Sequence, residues 1–409
     1  MHYFQSEDEV AMGIYRNILN THRTSKASLT LVIKVGTSSI CDEVTHYPLL
    51  GNLSRIVETI IRLKRLGHRV VLVTSAAVGT GLRRLNMGEK PSKLAAIQAI
   101  AAVGQGRLMS MYDDLFGQFE QPVAQILLTR NDLADRAQYL NAVNCLEELL
   151  DMGVVPIVNE NDSISVQEIK FGDNDTLSAI TAGMVKADYL FLMTDVDCLY
   201  TDNPRSNPDA HPVLVCEDID LLRDQVKVSA PGSALGTGGM ITKLVAADLA
   251  TAAGVTTVIT RGATPENIMP IIEGATQNVP LHTRFVAKPQ PLMDRKWWIL
   301  HGLHTAGTVY VESEVSKSIH DGEADKDLFA HSISHVEGTF VEHQAVRLVV
   351  QHKDSHGLID NITIAKGIVN YSSAEIMRIM LAGKQNLNDS LGYKNGNCII
   401  SRDNMAIST

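Results

Sequence analysis

LTLVIKVGTSS, residues 29–39, opens on a run in which five of seven positions are aliphatic and closes on a glycine and three hydroxyls. The apolar part is too short and too rich in β-branched residues for a helix. It is the pattern of a strand buried on both faces. Working outward, five similar runs follow: 69–74 (RVVLVT), 122–128 (PVAQILL), 154–158 (VVPIV), 189–194 (YLFLMT) and 256–260 (TTVIT). Between them, residues 50–66, 93–116, 136–152, 176–186 and 240–253 carry helical spacing and good helix formers. Strands alternating with helices predict an α/β fold, a mostly parallel open sheet sandwiched by helices.

The alternation stops at 287–293 (AKPQPLM). Beyond it come short β-like pieces at 308–311, 345–350, 362–369 and 398–401, with one helix near 373–381. The expected organisation is an amino-terminal extension (1–27), an α/β domain (28–285), a linker (286–293) and a small β-rich domain (294–409). A chain of 409 residues suits two such units.

Composition narrows the function. With 45% apolar and 20% charged residues the chain is globular rather than disordered. Its net charge of −10 argues against a polyanion as the main partner, which demands many cationic phosphate contacts. Five cysteines at 41, 145, 198, 216 and 398 form no CxxC pair, so neither a disulfide framework nor a zinc knuckle is indicated. No run approaches the ~18 apolar residues of a membrane span, and the acidic amino terminus resembles no secretory or transit peptide. These features predict a cytoplasmic protein with no membrane association.

In doubly wound sheets, ligands bind where strand ends lead into helix amino termini. The first strand ends in Lys34-Val35-Gly36, placing a cation beside a bare backbone that lets phosphate approach. A lysine at a strand end is more often merely solvated. The second ends in Thr74-Ser75-Ala76-Ala77, a small-residue turn that close packing alone would explain. The fourth ends in Asn159-Glu160-Asn161-Asp162-Ser163, followed by Asp173-Asn174-Asp175-Thr176. Such carboxylates and amides suit a polar substrate with an ammonium group; the alternative is an Asx-rich capped turn. The fifth ends in Thr194-Asp195. Residues 236–243 (GTGGMITK) bring Lys243 into the first turn of a helix on a glycine-rich loop, as a phosphate cradle requires. G-x-x-x-x-G-K-[ST], G-x-G-x-x-G after the first strand, and the HRD and DFG motifs are absent, which removes Walker-type NTPases, dinucleotide dehydrogenases and protein kinases.

Together these segments resemble the amino acid kinase family. The resemblance rests on VIKVGTSS (32–39), VTSAAVGTG (73–81), AAVGQGRL (101–108), ILLTRND (126–132), VPIVNENDS (155–163), EIKFGDNDTLSA (168–179), LYTDNPRSNPDA (199–210) and GTGGMITKLVAADLA (236–250), in the family's order. It is greatest for the branch that phosphorylates the side-chain carboxylate of glutamate, the first step of proline biosynthesis. The acetylglutamate, aspartate, carbamate and UMP branches share the fold and remain the alternatives. The tail resembles a PUA domain through DRKWWILHG (294–302) and VEGTF (336–340).

The resemblance implies roles position by position. Lys34 and Lys243 would stabilise the transferring phosphoryl group, with Asp175 orienting them. Ser75, Asp162 and Asn174 would bind glutamate. Thr194 and Asp195, with Thr237, Gly238, Gly239, Met240, Ile241, Thr242 and Lys243, would bind ATP, and Lys34 would contact it too. Mg²⁺ would travel on the ATP phosphates without direct protein ligands. Proline is implied as a feedback inhibitor, a separate glutamate-5-phosphate reductase as a partner, and a homo-oligomer as the assembly. One departure stands out: family members usually carry glycine after the serine of the second strand end, where this chain has Ala76 and Ala77. RNA binding by the tail is disfavoured, because residues 295–409 hold 11 Lys and Arg against 13 Asp and Glu, a net of −2. Eight of the 14 histidines also fall in the tail, but no cysteine pairs with them at metal-binding spacing.

Overall fold

In the computed structural model, the aliphatic runs become the strands β1 (Thr30–Val35), β2 (Arg69–Val73), β3 (Val123–Leu128), β4 (Val155–Glu160) and β5 (Tyr189–Thr194). A two-stranded ladder follows, β6 (Leu199–Tyr200) with β7 (Pro212–Val213), then β8 (Val215–Cys216), β9 (Thr256–Arg261) and β10 (Thr283–Phe285). Residues 28–165, 174–202, 207, 209–219, 221–222, 239–274, 279–289, 294–312, 327–353, 359–381 and 398–407 are described. The expected extension at 1–27, residues 166–173, part of the linker, and Thr237 and Gly238 lie outside them.

The main sheet runs β3-β4-β2-β1-β5-β9-β10-β8. Its first six strands are parallel, and β10 pairs antiparallel with β9. Strand β1 lies between β2 and β5, so successive connections leave it in opposite directions. That is the switch point at which such sheets open a crevice. Leu31, Ile33, Val70, Leu72 and Phe191 are all but fully buried, each contributing roughly 1.5–3 kcal/mol through the surface removed from water. The expectation of burial on both faces fails at β3, where only Leu128 is buried and Gln125 is exposed. It is the sheet's edge strand and lacks a neighbour on one side.

Around this sheet lie helices α1 (Leu50–Arg65), α2 (Ala77–Arg84), α3 (Leu94–Gly117), α4 (Arg130–Ala134), α5 (Arg136–Asp151), α6 (Asn174–Met184), α7 (Met240–Ala252) and α8 (Ile268–Ile272). Burial of Leu53, Ile56, Val57, Ile60 and Leu63 shows why α1 is a helix, its apolar stripe covering the sheet. Helices α2 and α3 approach backbone to backbone. A Cβ on Gly104 would lie 1.8 Å from the Ala77 carbonyl oxygen, and one on Gly81 would lie 2.0 Å from that of Ile100. Tyr112 of α3, fully buried, shares a 2.8 Å hydrogen bond with the Thr74 hydroxyl at the end of β2.

The chain divides into two compact units, 1–292 and 293–409. The second contains α9 (Asp294–His301), β11 (Thr305–Val311), β12 (Ile333–Glu337), β13 (Ala345–Lys353), β14 (Ile359–Ile368), α10 (Ser373–Leu381) and β15 (Met405–Ile407). Its sheet runs β12-β11-β13-β14-β15 over a core that includes Val309, Leu348, Tyr371 and Ile400. Residues 398–401, expected as a strand, contribute only an isolated bridge from Ile400 to Leu328. Strands β12 and β15, which no apolar run announced, complete the sheet instead.

Candidate active site

The carboxyl ends of β1, β2, β4, β5 and β9 lie along one edge of the main sheet, and the site is built there. Lys34, next to last in β1, pairs in register with Val73 of β2 and Leu192 of β5. A strand position otherwise given to aliphatics thus carries an ammonium, and Lys34 is only 6% exposed. Helix α6 brings Asp175 in its first turn, and α7 brings Lys243 in its first turn.

These three side chains meet. Lys34 Nζ lies 2.6 Å from Asp175 Oδ1, and Lys243 Nζ lies 3.2 Å from Asp175 Oδ2. The Thr242 hydroxyl stands 2.9 Å from the same Oδ2 and accepts from the Gly239 N–H at 3.1 Å. Asp175 is fully buried. Burial alone would raise its carboxyl pKa, but the charges of Lys34 and Lys243 outweigh it and hold the group below the ordinary range. Its place in the first turn of α6 adds the helix dipole in the same sense. Two lysines sharing one carboxylate leave one positive charge that the cluster does not neutralise, in a site shielded from water. Such a group attracts phosphate strongly.

A second cluster adjoins it. Asn174, directly before Asp175, donates through Nδ2 toward the Thr74 carbonyl and the Ser75 hydroxyl, both at 2.9 Å, and toward Asn159 Oδ1 at 3.0 Å. Ser75 and Asn174 are therefore brought together. Asp162 lies in the turn leaving β4, which Ser165 pins by donating to Glu160 Oε1 at 2.6 Å. The backbone at Ala76 is left-handed, with φ of 77° and ψ of 14°. This is the position at which the family pattern has glycine, the residue that adopts such a conformation without penalty.

On the other flank, Thr194 ends β5 opposite Arg261 of β9, and its hydroxyl donates to Asp195 at 3.1 Å. Thr194 and Asp195 border a cleft of about 450 Å³ with Ser38, Ser39, Asn52 and Arg55. Arg261 lies at its rim and is held by Asp197 through a two-pronged ion pair at 2.6 and 2.9 Å. Met240 and Ile241 are the first two residues of α7, the helix that carries Lys243. Sequence reading did not single out Asn159 or Gln105 as site residues, and it assigned Thr242 to the nucleotide rather than to its hydrogen bond with Asp175. The segment AAVGQGRL contained Gln105 but gave no sign of what it would touch.

Residues 30–261 match the amino acid kinase family. A probable glutamate 5-kinase of Schizosaccharomyces pombe is 50% identical over 393 residues, 94% of this chain and 95% of that protein. Glutamate 5-kinase of Acaryochloris marina is 47% identical over 383 residues, 93% of this chain and 100% of its own length. Among solved structures, carbamate kinase from Giardia lamblia bound to AMP-PNP aligns with a TM-score of 0.48 and 18% identity, over 64% of this chain and 100% of that one.

Proposed function

The chain belongs to the amino acid kinase family, and from that premise we propose that it transfers the γ-phosphoryl group of ATP to the side-chain carboxylate of L-glutamate. The products are L-glutamate 5-phosphate and ADP. The relatives at 46–50% identity, all glutamate 5-kinases, support this choice of acceptor within the family. The single observation that carries the chemistry is the buried Lys34–Asp175–Lys243 cluster with its surplus positive charge.

A carboxylate oxygen is already a nucleophile. It forms the new bond to the γ-phosphorus while the bond from that phosphorus to the β,γ-bridging oxygen breaks. ADP leaves with the electron pair, and no proton must be removed first. The protein's work is in-line positioning and neutralisation of charge on the transferring group. Lys34 and Lys243 suit that task, and Asp175 holds their ammonium groups apart and aimed. Ser75, Asn174 and Asp162 are read as the glutamate side of the site. Thr194, Asp195 and the loop through Thr237 and Gly238 to Lys243 are read as the nucleotide side. Mg²⁺ is assigned to the nucleotide phosphates, where it would supply charge neutralisation.

The same reading extends to the protein's setting. Proline, the end product of the pathway that this reaction would open, is proposed to compete at the glutamate side, and a separate reductase to consume the labile acyl phosphate. A homo-oligomer in the cytoplasm is the proposed context; all five cysteines are unbridged, which suits reducing conditions, and no described helix is long and apolar enough to cross a membrane. Residues 293–409 are read as a PUA-like domain with a regulatory or assembly role. Their net charge of −3 makes RNA a poor partner.

A coupled ADP-release assay with glutamate, aspartate, N-acetylglutamate and UMP tests the central reading. Glutamate alone should support turnover, and equal turnover with another acceptor would overturn it. Lys34→Ala or Lys243→Ala should lower kcat by about 10²-fold or more, as loss of one preorganised electrostatic donor does. Retention of kcat in both would remove the cluster from catalysis.

A further inference from the structure

Two backbone groups at the carboxyl end of the sheet set the sense of two amides, Asn159 and Asn174. The Glu160 N–H donates to Asn159 Oδ1 at 2.9 Å, so the Asn159 nitrogen must face the other way. There it donates to Gln105 Oε1 at 2.9 Å. The Thr74 carbonyl accepts from Asn174 Nδ2, and Asn159 Oδ1 accepts from the same nitrogen. Because a carbonyl cannot donate, the Asn174 amide cannot flip without losing these bonds. The amides therefore run in fixed sense from Gln105 through Asn159 to Asn174. At the far end Asn174 Oδ1 is buried with no hydrogen-bond partner among the described residues.

A buried acceptor without a donor signals a ligand group that supplies one. An ammonium donates and never accepts, so it matches Asn174 Oδ1, whereas a carboxylate would be repelled there. The helix that carries Gln105 is held firmly, while Gln105 Nε2 is a buried donor with no hydrogen-bond partner among the described residues. Its neighbour Gly104 seats α3 against the α2 backbone, and Tyr112 ties the same helix to Thr74.

We propose that Gln105 is a positioning residue which, through Asn159, fixes the Asn174 carboxamide with its oxygen presented to the substrate's α-ammonium. Gln105 touches no reacting atom. It anchors the Asn159 nitrogen, so that Asn159 Oδ1 stays in place to accept from Asn174 Nδ2; it thereby reinforces the sense that the Thr74 carbonyl sets and supports discrimination for an amino acid over the same diacid without the amine. This inference rests on the reading of the site as a glutamate site.

The test uses the full chain and compares glutamate with glutarate, the diacid that lacks the α-amine. Wild type is assayed first. Absence of glutamate-dependent ADP release there would sink the functional reading and this inference with it. In an active enzyme, Gln105→Met keeps the side chain's length but removes the acceptor for Asn159. It should raise the glutamate KM by about tenfold, the effect of one hydrogen bond to a charged group, with kcat and the ATP KM within about twofold. Glutarate, read as its competitive inhibition constant against glutamate, should bind wild type and variant alike. In an Asn174→Ala background Gln105→Met should add nothing further, because its effect passes through that amide. A parallel weakening of glutamate and glutarate, an unchanged glutamate KM, or full additivity with Asn174→Ala would each overturn the positioning role while leaving the kinase reading intact. If Gln105→Met does not fold, Asn159→Ala read by the same ratio decides the matter, since it breaks the same chain one link on.

Discussion

Asp175 concentrates the electrostatic logic of the site in one residue. Desolvation disfavours its charge, and the two lysines, aided by the Thr242 hydroxyl, keep its pKa below the ordinary value. A carboxyl whose folded pKa is depressed adds stability that is complete above its unfolded pKa, near 4, and is lost as pH falls toward the lower folded value. Asp175→Asn should remove that contribution and leave two lysines crowded in a buried site. We expect a loss of about 3 kcal/mol at pH 7, with the difference from wild type shrinking below pH 4. Urea unfolding at pH 7 and at pH 3 measures both, and a difference that persists unchanged at pH 3 would contradict the assignment. Ala76 holds the opposite kind of tension. A left-handed alanine costs roughly 1–2 kcal/mol, partly offset because glycine loses more entropy on folding. Ala76→Gly should therefore stabilise the chain by about 0.5–1 kcal/mol, read as a higher denaturation midpoint; a lower midpoint would mean that the methyl's packing outweighs its backbone strain.

At the scale of elements, the sequence was most readable where burial leaves no choice. Strands β1, β2, β4, β5 and β9 are continuous aliphatic runs, and each appears within about two residues of its expected bounds. Helix α2 was harder, because Gly79 and Gly81 weaken the helical pattern for reasons that exist only in three dimensions: Cys41 lies against Gly79 and α3 against Gly81. Strand β12 buries only Ile333 of its five residues and β15 spans three, too faint a signal against turn-rich surroundings. Individual site residues stood out as a lysine or an acid in the wrong company, yet the amide chain from Gln105 to Asn174 depends on register among segments far apart in sequence, which no spacing rule encodes. The α2–α3 contact offers an element-scale prediction. Gly104→Ala would place a methyl 1.8 Å from the Ala77 carbonyl oxygen, and no rotamer relieves a Cβ clash with backbone. Helix α3 must shift, at a cost of about 1–3 kcal/mol, carrying Gln105 away from Asn159. Thermal unfolding should show the loss, and the glutamate KM should rise more than the ATP KM. An equal rise in both would mean that the shift spreads to the nucleotide flank.

The whole molecule sets a net charge of −10 against a site with a buried surplus of one positive charge. The contrast has a physical use: an acidic surface discourages loose binding of polyanions, while the lysine pair captures one phosphate chain at short range, where screening by salt is weak. Nothing in that division of labour calls on residues 293–409. The lysine–carboxylate cluster, the amide chain and the cleft at Thr194 all lie in the first unit, which has its own core around Leu31, Ile33, Phe191 and Val258. A unit of that size with a contiguous core is large enough to fold alone. The chain ending at residue 292 should therefore still release ADP in response to glutamate, with kcat within about threefold of the full chain, while any role of the second unit in regulation or assembly appears as altered proline inhibition or altered sedimentation. If the shortened chain is folded by circular dichroism yet inactive, the second unit supports catalysis itself, and the site is not the self-sufficient structure that its hydrogen bonds describe.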